Sequence, residues 1–259
     1  DHIFTVNIYT VKETTRRKDK VSVIVVLKDV TETRTIEKTK KDFFSHASHE
    51  LKSPLTAIVG YSELVNLKMI NSDEYEEIFE RIHKQANHMT LLVDEMSTLS
   101  RLELAPRNEN MEYIDLESVL NKVLESLEPF KKERNVEFVV ESKPISFYAD
   151  ELDINKLFKN LIENAIKYSP KNSVVHIDLF TENNEITFLV KDHGIGILPK
   201  HQKRIFERFY RIDKGRLVAG TGLGLAIVKH ILIKYHGEIK IDSVINEGST
   251  ITVKFNKSN

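Results

Sequence analysis

The spacing of apolar residues divides the chain into three stretches. From Ile3 to Val11, Phe4, Val6 and Ile8 alternate with Thr5, Asn7 and Tyr9, and Val21 to Val30 is rich in Val and Ile. Two strands are expected, joined by the charged run Arg16 to Lys20. A two-stranded hairpin is marginal in water, so it is either the end of a domain that starts upstream or a ribbon packed on the next domain. From Thr31 the period becomes helical. Thr31 to Lys41 is charged and helix-compatible, and Ile36 lies seven residues before Phe43, as in a connector running into the next helix. With His49 at zero and ~100° per residue, Phe44, Ala47, Leu51, Leu55, Ile58, Ser62 and Val65 fall between about 160° and 240°. Ser45, Ser53, Thr56 and Gly60 fall within about 40° of the histidine. His49 therefore sits opposite the apolar stripe, beside the carboxylate of Glu50, and Pro54 is expected to interrupt the helix.

A second helix is expected over Asp73 to Leu102. Tyr75, Ile82, Met89 and Met96 recur every seven residues, and Ile78, Leu92 and Leu99 hold the other heptad row, with Gln85 its polar exception. Phe79, Ala86 and Val93 widen the stripe. Two helices joined near Asn71-Ser72 cannot bury such stripes alone. The simplest closure is a symmetric dimer forming a four-helix bundle; the alternative is that the downstream region covers them.

Ala105-Pro106-Arg107-Asn108 reads as a linker, and the third stretch mixes helix and strand. Helices are expected at Leu116 to Lys132, Glu151 to Tyr168 and Thr221 to Tyr235. Strands are expected at Val136 to Glu141, Ile145 to Ala149, Val174 to Thr181, Ile186 to Lys191, Ile239 to Val244 and Thr250 to Phe255. This order predicts an α+β sandwich with helices on one face of a mixed sheet.

Composition narrows the chemistry. Across 259 residues the formal net charge is −1, so neither a nucleic-acid footprint nor an acidic tail is indicated. There is no cysteine, which excludes disulfides, thiol catalysis and Cys-based zinc sites. No apolar run approaches the ~20 residues of a membrane span, and the chain opens at Asp1, so it reads as a soluble piece of something longer.

Four clusters in the third stretch carry candidate chemistry. Asn160, Asn164, Lys167 and Tyr168 share one polar helix face, where an amide oxygen suits Mg²⁺ and a lysine suits phosphate. A solvated face is the plain alternative, although two asparagines inside a helix are poor for propensity. Asp192-His193-Gly194-Ile195-Gly196 follows an apolar strand; its carboxylate can accept an exocyclic amine, and its glycines admit close approach, yet such turns are common. His193 receives no role. Arg204 to Arg211 interleaves aromatic and charged residues, as a hinge for a mobile cover or as a packed turn. Gly220-Thr221-Gly222-Leu223-Gly224-Leu225 is expected to open a helix as an anion site. It lacks the P-loop ending, and Asp242 alone does not make it a dinucleotide fingerprint, because no strand precedes Gly220.

These pieces, in this order after the His49 segment, resemble the transmitter region of bacterial two-component sensor histidine kinases from about Thr31 to Asn259. Asp29-Val30-Thr31-Glu32 after the hairpin resembles, more faintly, the end of a PAS domain. The resemblance implies three segments: 1–30 as the PAS-like end, 31–106 as connector and dimerisation/phosphotransfer domain, and 107–259 as an ATP-binding α/β sandwich of the histidine kinase/Hsp90-like type. It implies that His49 accepts the γ-phosphoryl group of ATP, Glu50 acts as acid/base partner and Asn164 ligates Mg²⁺ with Asn160 nearby. A neutral imidazole, ordinarily with a pKa of about 6.5, suits a nucleophile at pH 7. Lys167, Tyr168 and Arg211 would contact nucleotide, and Asp192 would hold the adenine amine. Gly194, Gly196, Gly220, Thr221, Gly222, Leu223 and Gly224 would shape the pocket, with Asp213 to Ala219 as its lid. The implied partners are a second copy of the chain and a response-regulator receiver domain whose aspartate takes the phosphoryl group; neither nucleic acid nor direct membrane contact is implied. The implied location is cytoplasmic, with anchoring of the full-length protein left open. Ser53 stands where many relatives carry Thr or Asn for regulator dephosphorylation, so phosphatase activity is open. The competing function is a non-catalytic, nucleotide-sensing scaffold.

Overall fold

The computed structural model describes residues 2–15, 18–71, 73–104, 110–212 and 220–257. The expected hairpin tip at Arg16-Arg17, the interhelical Ser72, the linker Ala105 to Asn108 and the lid Asp213 to Ala219 lie outside the described residues.

Strands β1 (Phe4–Thr15) and β2 (Lys18–Asp29) pair antiparallel from Phe4↔Asp29 to Thr15↔Lys18. Lys18, Asp19 and Lys20, expected in the loop, belong to β2. The backbone ladder runs on regardless of side-chain charge. Val6, Ile8, Tyr9, Ile24 and Leu27, from both faces of the ribbon, are exposed. Asp29 ties the ribbon to the next helix by accepting from Thr31 N (2.9 Å) and Thr31 Oγ1 (2.6 Å).

Helix α1 (Thr31–Asn66) runs unbroken through His49 and Pro54. The expected interruption does not occur. A proline removes one N–H, so the Glu50 carbonyl loses its helical donor while neighbouring turns keep theirs. Helix α2 (Tyr75–Leu104) returns alongside. Its heptad rows separate by environment: Ile78, Leu92 and Leu99 are buried, Tyr75, Ile82, Met89 and Met96 are half-buried, and Phe79, Ala86 and Val93 are exposed. On α1, Ala47 is buried and Leu51 half-buried, but Phe44, Leu55 and Val59 are exposed. The downstream region thus covers only part of the stripes, with Phe43, Leu51, Leu92, Met96 and Leu99 joining its core cluster.

The third stretch begins with β3 (Glu112–Asp115), which the apolar pattern does not predict, and continues into α3 (Leu116–Arg134), β4 (Glu137–Ser142) and β5 (Ser146–Ala149). Then come α4 (Glu151–Tyr168), β6 (Val174–Glu182), β7 (Glu185–Lys191), the short α5 (Pro199–Gln202), a 3-10 turn (Arg204–Phe206), α6 (Gly224–Lys234), β8 (Glu238–Val244) and β9 (Gly248–Asn256). Strands β3 and β5 form a small antiparallel pair. The main sheet has the order β4-β6-β7-β9-β8, parallel between β4 and β6 and antiparallel elsewhere. Period-two patterning sends Val175, Ile177, Leu179, Phe188, Val190, Val253 and Phe255 inward. There they meet the buried faces of α3, α4 and α6, as in the Phe158–Phe188 ring contact at 4.2 Å. The opposite face carries the partly exposed His176, Asp178 and Phe180, which makes the architecture the expected mixed-sheet sandwich.

Candidate active site

Helix α4 is the platform. Asp150 caps it by accepting from Leu152 N at 2.9 Å, and Ile154, Leu157, Phe158, Leu161, Ile162, Ala165 and Ile166 are buried. Spacing then puts Lys156, Asn160, Glu163, Asn164 and Lys167 on the other side, all half-buried. Asn160 Nδ2 donates to the Lys156 carbonyl at 2.8 Å, which leaves Oδ1 turned towards Gly224, where a Cβ would stand 2.2 Å from it. Burial pulls the Lys167 ammonium pKa down; Arg211 lowers it further, and Glu163 and Glu95 oppose. Burial raises that of Tyr168.

The Asp192 turn closes one end of this platform. Asp192 is buried at the end of β7, and its Oδ1 accepts from Gly194 N (2.8 Å) and Ser249 N (3.2 Å). Burial raises its carboxyl pKa, and these two N–H groups partly offset the effect. A Cβ on Gly194 would lie 2.5 Å from the Tyr168 carbonyl oxygen, so the turn touches the C-terminal end of α4 directly. Gly196 has φ +71°, and a Cβ there would meet the Val244 carbonyl at 2.2 Å. Gly248, which the motifs do not single out, is as constrained: φ is +117° and a Cβ would lie 2.1 Å from the Asp192 carbonyl oxygen. Its signal in the sequence is its place in the turn between two strands.

The glycine loop runs along the same face, from Lys167 to Asn160. A Cβ on Gly220 would stand 2.3 Å from Lys167 Nζ, and one on Gly222 (φ +75°) would stand 2.8 Å from the Phe209 carbonyl carbon. The helix expected from Thr221 begins at Gly224, because the positive φ of Gly222 cannot belong to a right-handed helix. Thr221 Oγ1 instead accepts from Leu223 N at 3.2 Å, and the Leu223 side chain is fully buried in the core.

The aromatic-charged turn, expected as a hinge, packs against both regions. Phe209 holds φ +60°, unusual for a bulky side chain, and donates its N–H to Gly222 O at 2.9 Å. Its ring meets Phe43 (5.7 Å) and His46 (5.8 Å) of α1. Arg208 pairs with Glu103 of α2, and Arg211 is half-buried.

Three groups of predicted residues therefore converge on α4: the asparagine face itself, the Asp192 turn and the Gly220–Gly224 loop. His49 and Ser53 are exposed on α1, Glu50 is half-buried, and the ring contacts from α1 to the downstream region come from Phe43 and His46, one turn earlier. His88 of α2 links the two sides electrostatically. Burial lowers its pKa, Arg211 and Lys167 lower it further, and Glu50 opposes.

Two polar contacts between the hairpin and the downstream region have no signal in the sequence. Thr221 Oγ1 donates to Glu95 of α2. Arg101, in the last turn of α2, reaches the fully buried Asp153 at 2.5 Å; Lys234 Nζ (2.7 Å) and Tyr235 Oη (3.0 Å) hold its other oxygen. Among the described residues no three His, Cys, Asp or Glu side chains converge as a metal site. A Mg²⁺ at Asn164 would draw most of its ligands from phosphate and water, as that ion commonly does.

Comparison with known proteins bears on this arrangement. Residues 39–105 match the His Kinase A (phospho-acceptor) domain, and residues 149–259 match the histidine kinase-, DNA gyrase B-, and HSP90-like ATPase. The phosphate regulon sensor protein PhoR of Pseudomonas aeruginosa is 33% identical over 237 residues, covering 90% of this chain and 53% of that protein. The sensor histidine kinase WalK of Bacillus subtilis is 34% identical over 236 residues, 88% of this chain and 38% of that one. The chain spans about half the length of the first of these relatives and less of the second. Among solved structures, the Acinetobacter baumannii histidine kinase AdeS superposes with a TM-score of 0.68 at 26% identity, covering 82% of this chain and 98% of that one.

Proposed function

The chain belongs to the bacterial sensor histidine kinases, whose transmitter region it carries, and on that premise we propose that it phosphorylates its own His49 from Mg-ATP and passes the phosphoryl group to an aspartate of a response-regulator receiver domain. One observation carries the reading. Gly194, Gly220 and Gly224 each lack a Cβ where Tyr168, Lys167 and Asn160 of α4 stand, so clusters far apart in sequence meet as one cradle.

In this reading Asp192, its Oδ1 held by two N–H groups, accepts the adenine amine, and burial keeps water from competing. The Gly220–Gly224 backbone at the start of α6 and the Lys167 ammonium face the phosphates. Arg211 and Tyr168 contact the nucleotide, Gly196 shapes the turn, and Asn164, with Asn160 beside it, offers an amide oxygen to Mg²⁺. That ion would supply charge stabilisation on the phosphoryl oxygens. A His49 ring nitrogen attacks the γ-phosphorus, the bond to the β-phosphate oxygen breaks with ADP as leaving group, and Glu50 takes the imidazole proton. With His49 exposed on α1, transfer goes with a change in how the regions are placed, or with delivery to a second chain.

We assign residues 1–30 to a PAS-like end, 31–106 to the connector and dimerisation/phosphotransfer domain, and 107–259 to the ATP-binding domain. The exposed row Phe79, Ala86 and Val93 supports a homodimer through the hairpin. Among the described residues no helix is long and apolar enough to cross a membrane. The proposed location of the transmitter is cytoplasmic, where ATP is available, and the Ser53 hydroxyl on the His49 face keeps phosphatase activity within reach.

Labelled ATP tests the assignment. Acid-labile, alkali-stable label is expected on the protein and is expected to vanish in His49→Gln, with Mg-ATP affinity unchanged. Label that survives this substitution would remove His49 from the reading.

A further inference from the structure

Glu95 lies on α2 between Leu92 and Leu99, on the row that meets the ATP-binding region. Its Oε2 accepts the Thr221 hydroxyl, and that same hydroxyl accepts from Leu223 N at 3.2 Å. The carboxylate thus grips the loop through the atom that shapes it. The charged neighbours acting on Glu95 are Glu163, Lys156 and Lys167, all from the polar face of α4. Lys167 is the amine that fills the space beside Gly220. A carboxylate that takes a loop hydroxyl and feels the charge of two lysines uses the recognition chemistry of a phosphate oxygen. Burial raises the Glu95 pKa, so a desolvation cost accompanies its place, opposed by the Thr221 bond and the lysines.

We propose that Glu95 is an internal competitor for nucleotide phosphates, so that docking of the helical hairpin on the Gly220–Gly224 loop and binding of a nucleoside triphosphate oppose each other. The inference rests on the nucleotide reading of that site. Like charges cannot share the loop without cost, and linkage makes the antagonism mutual: hairpin docking weakens the nucleotide as much as nucleotide weakens docking. Glu95 therefore acts as a positioning residue, working through Thr221 and through charge. Its effect must follow the number of phosphates on the ligand.

Glu95→Gln keeps the shape and an acceptor for Thr221 but removes the charge. Calorimetric titration of the full chain with Mg-ATP, Mg-ADP and adenosine is expected to give Mg-ATP binding roughly fivefold tighter or more in the variant. A smaller gain is expected for Mg-ADP and none for adenosine, and Glu95→Ala should follow the same order. Unchanged or weaker Mg-ATP binding in Glu95→Gln would overturn the proposal while leaving the nucleotide site standing. An equal gain for adenosine would also overturn it, since that reports only a loosened interface. If wild type and variants all fail to bind Mg-ATP, the site reading falls and this inference with it.

Discussion

In the ATP-binding region Phe147, Phe158 and Phe188 are almost fully buried. In the hairpin, Phe44 is 65% exposed, Phe79 57% and Val93 52%. Both regions are built from amphipathic elements, and they differ in how many apolar rows each element carries. A sheet with one inward face is completed by three helices of the same chain. Helix α2 carries three rows, and its neighbours here, α1 and α6, reach two of them. A helix with one more row than its neighbours cover leaves that row exposed. The comparison also separates two kinds of residue. The cradle on α4 is half-buried and bounded by packed neighbours, whereas His49 stands on an exposed face of α1.

The comparison can be broken most readily by truncating one aromatic in each region. Phe158→Ala should lower unfolding free energy by about 3–5 kcal/mol, measured by denaturant titration, at every protein concentration. Phe79→Ala should barely change the unfolding of α4 and the sheet, but should weaken self-association in sedimentation. Equal, concentration-independent losses in the two variants would mean that the hairpin is not waiting for a partner. Next in size is Asp153→Asn, which leaves Arg101 and Lys234 facing an uncharged amide in a buried node. A cost of about 3 kcal/mol is expected, with earlier proteolytic separation of the hairpin from the ATP-binding region. If the two regions stay equally coupled, the node is not what joins them.

The smallest effect is on pH. Burial raises the Asp192 pKa above its ordinary 3.8, so the folded protein holds this proton more tightly than the unfolded chain does. The group's contribution to stability is present below the ordinary value and is lost as pH rises through the folded-state pKa. The proposed adenine contact needs the ionised form, so nucleotide binding is expected to run the other way, weakening as pH falls through the same range. Titrations of Mg-ADP between neutral pH and pH 4 should show that decline, and Asp192→Asn should bind weakly throughout with that pH dependence removed. A wild-type curve with the shape of the asparagine variant's would take Asp192 out of the contact.

Legibility followed the range of the interactions. Helix α4 runs from Glu151 to Tyr168, as its apolar period indicates, because Asp150 caps it locally and its apolar face repeats from Ile154 to Ile166. Strand β3 is invisible in the pattern because its four residues become a strand only against β5, paired as Glu112↔Ala149. The start of α6 falls three residues after the expected Thr221 because a glycine's φ cannot be read from its name. Pro54 does not break its helix because the rest of α1 retains its bonds. Among the candidates, the residues of α4 and the glycines can be named from motif spacing. Glu95 and Asp153 cannot, since their partners Thr221, Arg101 and Lys234 lie far along the chain.

What neighbouring residues specify are the periods: two strands, an amphipathic helix and a heptad-bearing one, a sandwich of short elements, and a histidine opposite its helix's apolar stripe. Those are local consequences of 3.6- and 2-residue repeats, so neighbouring residues suffice to specify them. The tertiary structure decided which apolar rows stay uncovered, which glycines make room for which side chains, and that Glu95 rests on the loop proposed for phosphate. These depend on contacts between residues remote in sequence, where a hydrogen bond or a space that admits no Cβ exists only after the chain has folded.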